Sequence, residues 1–187
     1  MGVITYTHDV NGSIQQAQGS DNRLNVSSRG DSRSYYNSRD NQEAYSLVWE
    51  DASSEDGDIV LYWKNTDSQG RHLVIDSAGM NSAETADFQL LIVSGTAAGG
   101  TTAVPVCLNR AAPRVAPSTS LTAVTAPITG LNEDLIVDHA GCVAGGHEEF
   151  RLDDRLRIGE GGALAIKMNS TPATPTRTWG VVFGYFE

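Results

Sequence analysis

"TWGVVFGYFE", residues 178–187, decides the fold class. Trp179, Val181, Phe183 and Tyr185 alternate with Gly180, Val182, Gly184 and Phe186. A period of two belongs to an extended strand, whose side chains leave alternately by its two faces. One row carries bulky side chains and the other is partly stripped of them, so another element must approach the glycine positions closely. The aromatic row is expected against the core, where rings bury the most surface. A charge on that row, Phe183→Asp, is then expected to prevent folding. The strand itself is expected inside a sheet, holding the last residues fixed.

Working outward, the same β-type composition recurs from Ala44 onward. "AYSLVWE", "DIVLYWKNT", "HLVIDSA", "DFQLLIVSG", "AVPVCLN", "SLTAVTAPI", "EDLIVDH", "EEFRL" and "GALAIKM" are short runs of Val, Ile, Leu and aromatics. Asp, Asn, Gly, Ser and Pro clusters separate them, and such spacing predicts an antiparallel β-sandwich or barrel. "IVLYW" (59–63) and "LLIV" (90–93) are apolar without a break, so they predict strands buried on both faces or covered by the N-terminal segment. "LRIGEGGALAIKM" (156–168) predicts strand, turn, strand, with Gly159, Gly161 and Gly162 supplying positive φ. In "NSAETADFQLL" (81–91), Asn81 or Ser82 is a possible helix cap, and one helical turn before a strand is the most it predicts.

The 187 residues suit one domain, here assigned to 45–187, preceded by an arm or extended segment at 1–44. Residues 8–44 hold almost no large aliphatics and lack the apolar surface to fold alone. The net charge of −10 repels phosphate, which argues against nucleic-acid binding. "MGVITYTHDVNGS" has neither the basic nor the apolar region of a signal peptide, and no apolar run approaches the ~20 residues that span a bilayer. Tyr6 stands where a myristoylation motif requires Ser or Thr. No membrane partner is expected, and Cys107 and Cys142 are expected as thiols in a reducing cytoplasm.

"SSRGDSRSYYNSRDNQEAYSL" (27–47) combines an Arg-Gly-Asp tripeptide, Ser-Arg pairs and a Tyr doublet. Asp21, Asp31 and Asp40 balance its arginines, so a DNA-binding arm is a poor reading. Adhesion would require secretion. The third reading is a docking segment.

Chemistry has few footholds. "HAGCVAGGHEE" brings His139, Cys142, His147 and Glu148 close in sequence, but at the spacing of no zinc module. "EDASSEDGD" (50–58) and "LDDRL" (152–156) are rich in carboxylates without the pattern of a calcium loop, and are expected as solvated turns. No nucleophile elbow or phosphate loop is present. The expectation is a protein that is not an enzyme, with no cofactor and no metal.

The order "SRSYYNSRDNQEAYSLVWEDASSEDGDIVLYWKNT…HLVID…FQLLIVSGTAAGGTTAVPVCLNR…ITGL…LRIGEGGALAIKM" resembles small virion structural proteins of tailed bacteriophages, of the jelly-roll head decoration or cement type. The polar arm, "LYWKNT", the "VSGTA…P" pair followed by "LNR", and the late L-x-x-G-x-G-x-A turn carry it, over about residues 32–185. The resemblance implies an all-β jelly roll and no catalytic residues. In a particle protein it makes the polar arm a docking segment that folds on contact with a neighbouring subunit, with Arg29, Arg33, Tyr35, Tyr36 and Arg39 as the contact residues, because Arg and Tyr are enriched at such anchors. It implies as partners the major capsid protein or other virion subunits, a homo-oligomer (dimer or trimer), and residence in the virion after synthesis in the host cytoplasm. A tail or fibre-associated receptor-binding module, using Trp49, Trp63 or Trp179 as a glycan platform, is the alternative. A cupin-like metalloprotein built on His139 and His147 is a further one.

Overall fold

The computed structural model describes residues 43–111, 113–124, 126–169 and 175–187, together with Ser38 and the backbone of four short N-terminal strands. The chain forms two compact units, Met1–Asp31 and Ser32–Glu187. In the first, β1 (Ile4–Thr7) pairs antiparallel with β2 (Ile14–Ala17), and β3 (Gly19–Ser20) with β4 (Arg23–Leu24). The β-branched run of Ile4, Thr5 and Thr7 suits β1 to a pleated ribbon.

The second unit is an antiparallel sandwich. In chain order it holds β5 (Ala44–Ser54), β6 (Ile59–Asn65), β7 (Leu73–Ser82), β8 (Ala86–Gly99), β9 (Thr101–Thr102), β10 (Val106–Cys107), β11 (Ser118–Thr122), β12 (Ile128–Cys142), β13 (His147–Ile158), β14 (Ala163–Met168) and β15 (Thr176–Phe186). One sheet has the order β10-β5-β15-β7-β13 and the other β12-β8-β14-β6-β11-β9. Leaving aside the short strands β9, β10 and β11, the first strand pairs with the last, β5 with β15. Inward from there β6 pairs with β14, β7 with β13 and β8 with β12. A nested ribbon of this kind, rolled so that successive pairs fall in alternate sheets, is a jelly roll.

Between the sheets, Tyr45, Leu47 and Trp49 of β5 meet Leu61 and Trp63 of β6, Phe88 and Leu90 of β8, and Val182 and Phe186 of β15. The second sheet is buried on its other face as well. Tyr62, Leu91, Val93 and Ala165 form a separate cluster under Ala123 and Ile128. The β8–β12 hairpin bends at three register shifts in β12, and Ile128 comes into register with Ile59 of β6. Bulges of this kind let a sheet curl over itself. The unbroken apolar runs 59–63 and 90–93 are thus buried on both faces, by strands of the sandwich itself.

Asn65, which ends "LYWKNT", is wholly buried and ties three segments together. Its Nδ2 donates to the carbonyls of Arg71 (2.8 Å) and Ile158 (2.9 Å), and its Oδ1 accepts from the Asp67 amide (2.8 Å). The Gly-rich turn closes on the same residue through Gly161 N–H to Asn65 C=O at 3.0 Å. Of the three glycines expected to take positive φ there, Gly161 does, at 77°.

Two sequence expectations change. β15 is central, as expected, but its aromatic row faces away from the inter-sheet core: Val182 and Phe186 are in that core, while Phe183 is exposed and Tyr185 is buried apart from it, with Ala44 and Val74. The glycine row turns inward because neighbouring side chains fill the space it leaves, with Trp49 lying against Gly180. Residues 81–91 make no helical turn; β7 runs through Ser82 and a bend leads directly into β8.

Candidate docking face

The outward face of the β10-β5-β15-β7-β13 sheet is assembled from register. Trp179 lies between Glu50 and Asn81, Val181 between Val48 and Gly79, and Phe183 between Ser46 and Ser77. Val106 extends the last row beside Ser46, while His147, Glu149 and Arg151 of β13 extend the three rows beside Asn81, Gly79 and Ser77. Cross-strand partners share a face, so these side chains form one surface.

Its centre is apolar and its margins are charged. Val48 is 65% exposed, Val106 43% and Phe183 36%, with Trp179 and Val181 half-buried among them. At one end the Arg177 guanidinium stands 5.1 Å from the Trp179 ring centre and pairs with Glu50 at 2.8 Å. Glu149 pairs with Arg151 at 2.8 Å, and at the far end Arg157 pairs with Glu187 at 2.6 Å. The hydrogen bond from Arg151 holds the Glu149 carboxyl below its ordinary range. Gly79 allows the His147 imidazole to lie flat on the sheet, since a Cβ there would meet Cε1 at 2.8 Å. The ring is oriented by Asn81, with Nδ1 and Oδ1 3.2 Å apart. An apolar centre inside a polar rim is the anatomy of a protein–protein contact surface.

Other titratable groups are engaged in holding the fold. Glu43 lies just before β5 and is nearly buried, with Arg71 at 2.5 Å and Arg114 at 2.7 Å. Arg71 also donates to Asp67 at 2.7 Å and lies 5.9 Å from the Phe186 ring centre. Burial opposes ionisation of Asp67, but hydrogen bonds from the Arg71 side chain and from the backbone of Gln69 and Arg71 prevail and lower its pKa. Beside this cluster, burial and then the Glu43 charge push the Tyr45 hydroxyl up to about 12.

The segments that drew attention as possible metal sites are placed as follows. His139 is on β12 in one sheet and His147 on β13 in the other. Cys142 is buried, its thiol directed at the Gly146 carbonyl at 3.2 Å, and burial pushes that thiol up. Cys107 is buried as well, and no disulfide joins the two. Asp51 accepts from Ser53 N–H and Ser54 Oγ, and Asp58 from Glu55 N–H, beside a cavity of about 130 Å³ that Ala123, Val124, Ala126 and Pro127 also line. These carboxylates cap their own turns. Asp153 and Asp154, with φ of 46° and 63°, form the bulge between Arg151 and Leu156. Among the described residues no three His, Cys, Asp or Glu side chains converge as metal ligands.

The docking residues named from sequence, Arg29, Arg33, Tyr35, Tyr36 and Arg39, lie outside the described residues. Of the residues on the exposed face, Val48 and Val106 were not singled out, and Val181 and Phe183 were expected against the core. Val48 sits within the unbroken run "LVW", and apolar neighbours on both sides disguise a surface position. Compared with protein-family models, curated proteins and solved structures, the chain matches none.

Proposed function

We propose that this chain is a structural virion protein of a tailed phage, a capsid decoration subunit that binds the head shell and stabilises it. The observation that carries the reading is the exposed apolar face on a jelly roll: Val48, Val106, Phe183 and Trp179 present a contact surface, not a reaction cleft. The buried Asp67 and Glu43 carboxylates are committed to ion pairs, and Asp51 and the Cys142 thiol to local hydrogen bonds, in keeping with a scaffold. The charge of −10 suits the outer surface of a head, away from packaged DNA. The resemblance described above supplies the virion assignment and the major capsid protein as partner.

The receptor-binding alternative needs an open aromatic platform. Trp49 and Trp63 are wholly buried, and Arg177 stands over the Trp179 ring. The decoration reading is therefore preferred. Its test is co-sedimentation of the purified chain with head shells assembled from the major capsid protein of the same genome. Saturable binding that raises the temperature of shell disruption is expected, and a chain that stays in the supernatant at every concentration overturns the reading.

A further inference from the structure

We propose that the cavity between the β5–β6 turn and the segment joining β11 to β12 is a socket for an arginine side chain of a bound protein partner. The inference goes beyond the virion reading and does not depend on it. Asp51, Ser53 and Asp58 line the cavity together with Ala123, Val124, Ala126 and Pro127.

Asp51 supplies the need for a positive charge. It lies toward the end of β5 and is only 5% exposed. Yet its donors are neutral: Ser53 N–H to Oδ1 at 3.0 Å and Ser54 Oγ to Oδ2 at 2.9 Å. The surrounding strand ends are polar without being basic. Ser54 Oγ lies 2.7 Å from Thr178 Oγ1, and Thr176, in register with Ser54, keeps a buried hydroxyl with no hydrogen-bond partner. Asp58 is half-buried and spends Oδ2 on the Glu55 amide at 2.8 Å. Among the described residues, no Lys, Arg or His pairs with either carboxylate. A buried carboxylate is ordinarily matched by a cation, and here the cavity borders it where that cation would sit.

The walls select which cation. The cavity measures about 130 Å³, and one of roughly 150 Å³ takes a benzene ring, so a guanidinium and its adjoining methylenes fit. Ala123, Val124, Ala126 and Pro127 give the stem apolar surface, while Asp51 and Asp58 hold the head. Guanidinium is planar and weakly hydrated, and its fork of N–H donors can serve two carboxylates at once. A calcium ion asks for roughly six to eight oxygen ligands and gains nothing from an apolar wall. Val124 is 43% exposed, with Ala126 and Pro127 exposed beside it, so the backbone that carries the arginine stays outside. The walls are set in advance. Ala123 N–H donates to Val60 C=O at 3.2 Å, Ile128 pairs with Ile59, and Asp58 C=O accepts from Met168 N–H at 2.9 Å. Such a site spends little free energy on ordering itself when the side chain enters.

The test is an amide chemical-shift titration of the full chain by NMR, with Nα-acetylarginine amide as the probe and thermal melting to confirm that each variant is folded. Saturable shifts are expected at Asp58, Ala123, Val124 and Ala126, with a Kd of about 5 mM. Nα-acetylcitrulline amide, the same shape without the charge, should not bind. Asp58→Asn removes one carboxylate and Ala126→Phe plugs the rim, and each should weaken binding by about 10-fold or more. Glu160→Gln makes the same change of net charge in the exposed turn at the other end of β6, and should leave Kd within about 2-fold. No saturation by about 100 mM, binding of the citrulline probe as tight as that of arginine, or equal weakening by Glu160→Gln overturns the inference. So does calcium chloride that shifts the same amides at concentrations below about 1 mM, which would make the cavity a metal site.

Discussion

The indole of Trp49 lies against the bare Cα of Gly180 on the adjacent strand: a Cβ at position 180 would run into the Gly79 carbonyl oxygen and would meet Trp49 Nε1 at 2.7 Å and Cε2 at 2.8 Å. The two residues are partners in the β5–β15 register, and Trp49 reaches across the sandwich to Phe88, with ring centres 6.2 Å apart and planes at 67°. The missing side chain on the central strand is what lets an indole from the next strand link the two sheets. Gly180→Val is therefore expected to cost about 3 kcal/mol or more, through overpacking against the indole and against the Gly79 backbone. The urea midpoint should fall with little change in slope. Trp49→Leu in the same chain should recover part of the loss, and strict additivity of the two would refute the contact.

Phe183→Asp reports which face of β15 is inside. Phe183 is exposed on the outward face, so the charged side chain remains in water and the stability of the subunit should change by no more than about 1 kcal/mol. Val182→Asp, one position away and wholly buried, should abolish folding. Circular dichroism and thermal melting of the pair separate the two faces, and an unfolded Phe183→Asp would return the aromatic row to the core.

Asp67 makes stability depend on acid. Its carboxyl is held below its ordinary value of 3.8, chiefly by Arg71 once burial is offset. A lowered folded pKa means the unfolded chain takes up protons first. The stabilisation is complete above about pH 4 and is lost as pH falls through the folded value. Asp67→Asn, which keeps an oxygen acceptor for the Gln69 amide but removes the charge facing Arg71, should cost about 2 kcal/mol at pH 7. It should also flatten the fall of the urea midpoint below about pH 4. An unchanged acid limb in the variant would show that other carboxylates govern it.

Cys107 and Cys142 are buried, and burial raises the Cys142 thiol above its ordinary range. The thiolate is the reactive form, so neither cysteine should react with a thiol reagent within minutes at neutral pH in the folded chain. Both should react on unfolding in denaturant, in a stoichiometry of two per chain. Rapid labelling of the native protein would place a thiol at the surface.

Much of the sandwich is legible in residue order. Each run named from "AYSLVWE" to "TWGVVFGYFE" overlaps a strand, because β-branched and aromatic clusters bounded by Gly, Asp and Pro have few other ways to bury themselves. The runs 59–63 and 90–93 announce burial on two faces by lacking alternation. The β1–β2 ladder also left a signal, since the β-type run "ITYT" is followed, after three residues, by Asn11-Gly12, a frequent hairpin dipeptide.

The sequence by itself determined local matters: where strands form, that the sheets are antiparallel, that β15 is internal and that its glycines admit a close neighbour. These follow from side-chain period and turn chemistry, which act over a few residues. Tertiary structure alone decided which side of β15 faces the core, because the answer lies with Trp49, 131 residues earlier in the chain, occupying the space over Gly180. It also decided that Val48, Val106 and Phe183 form one surface. Their side chains are as apolar as those of the core, and only the pairing of β10, β5 and β15 brings them together on the side of the sheet turned away from it.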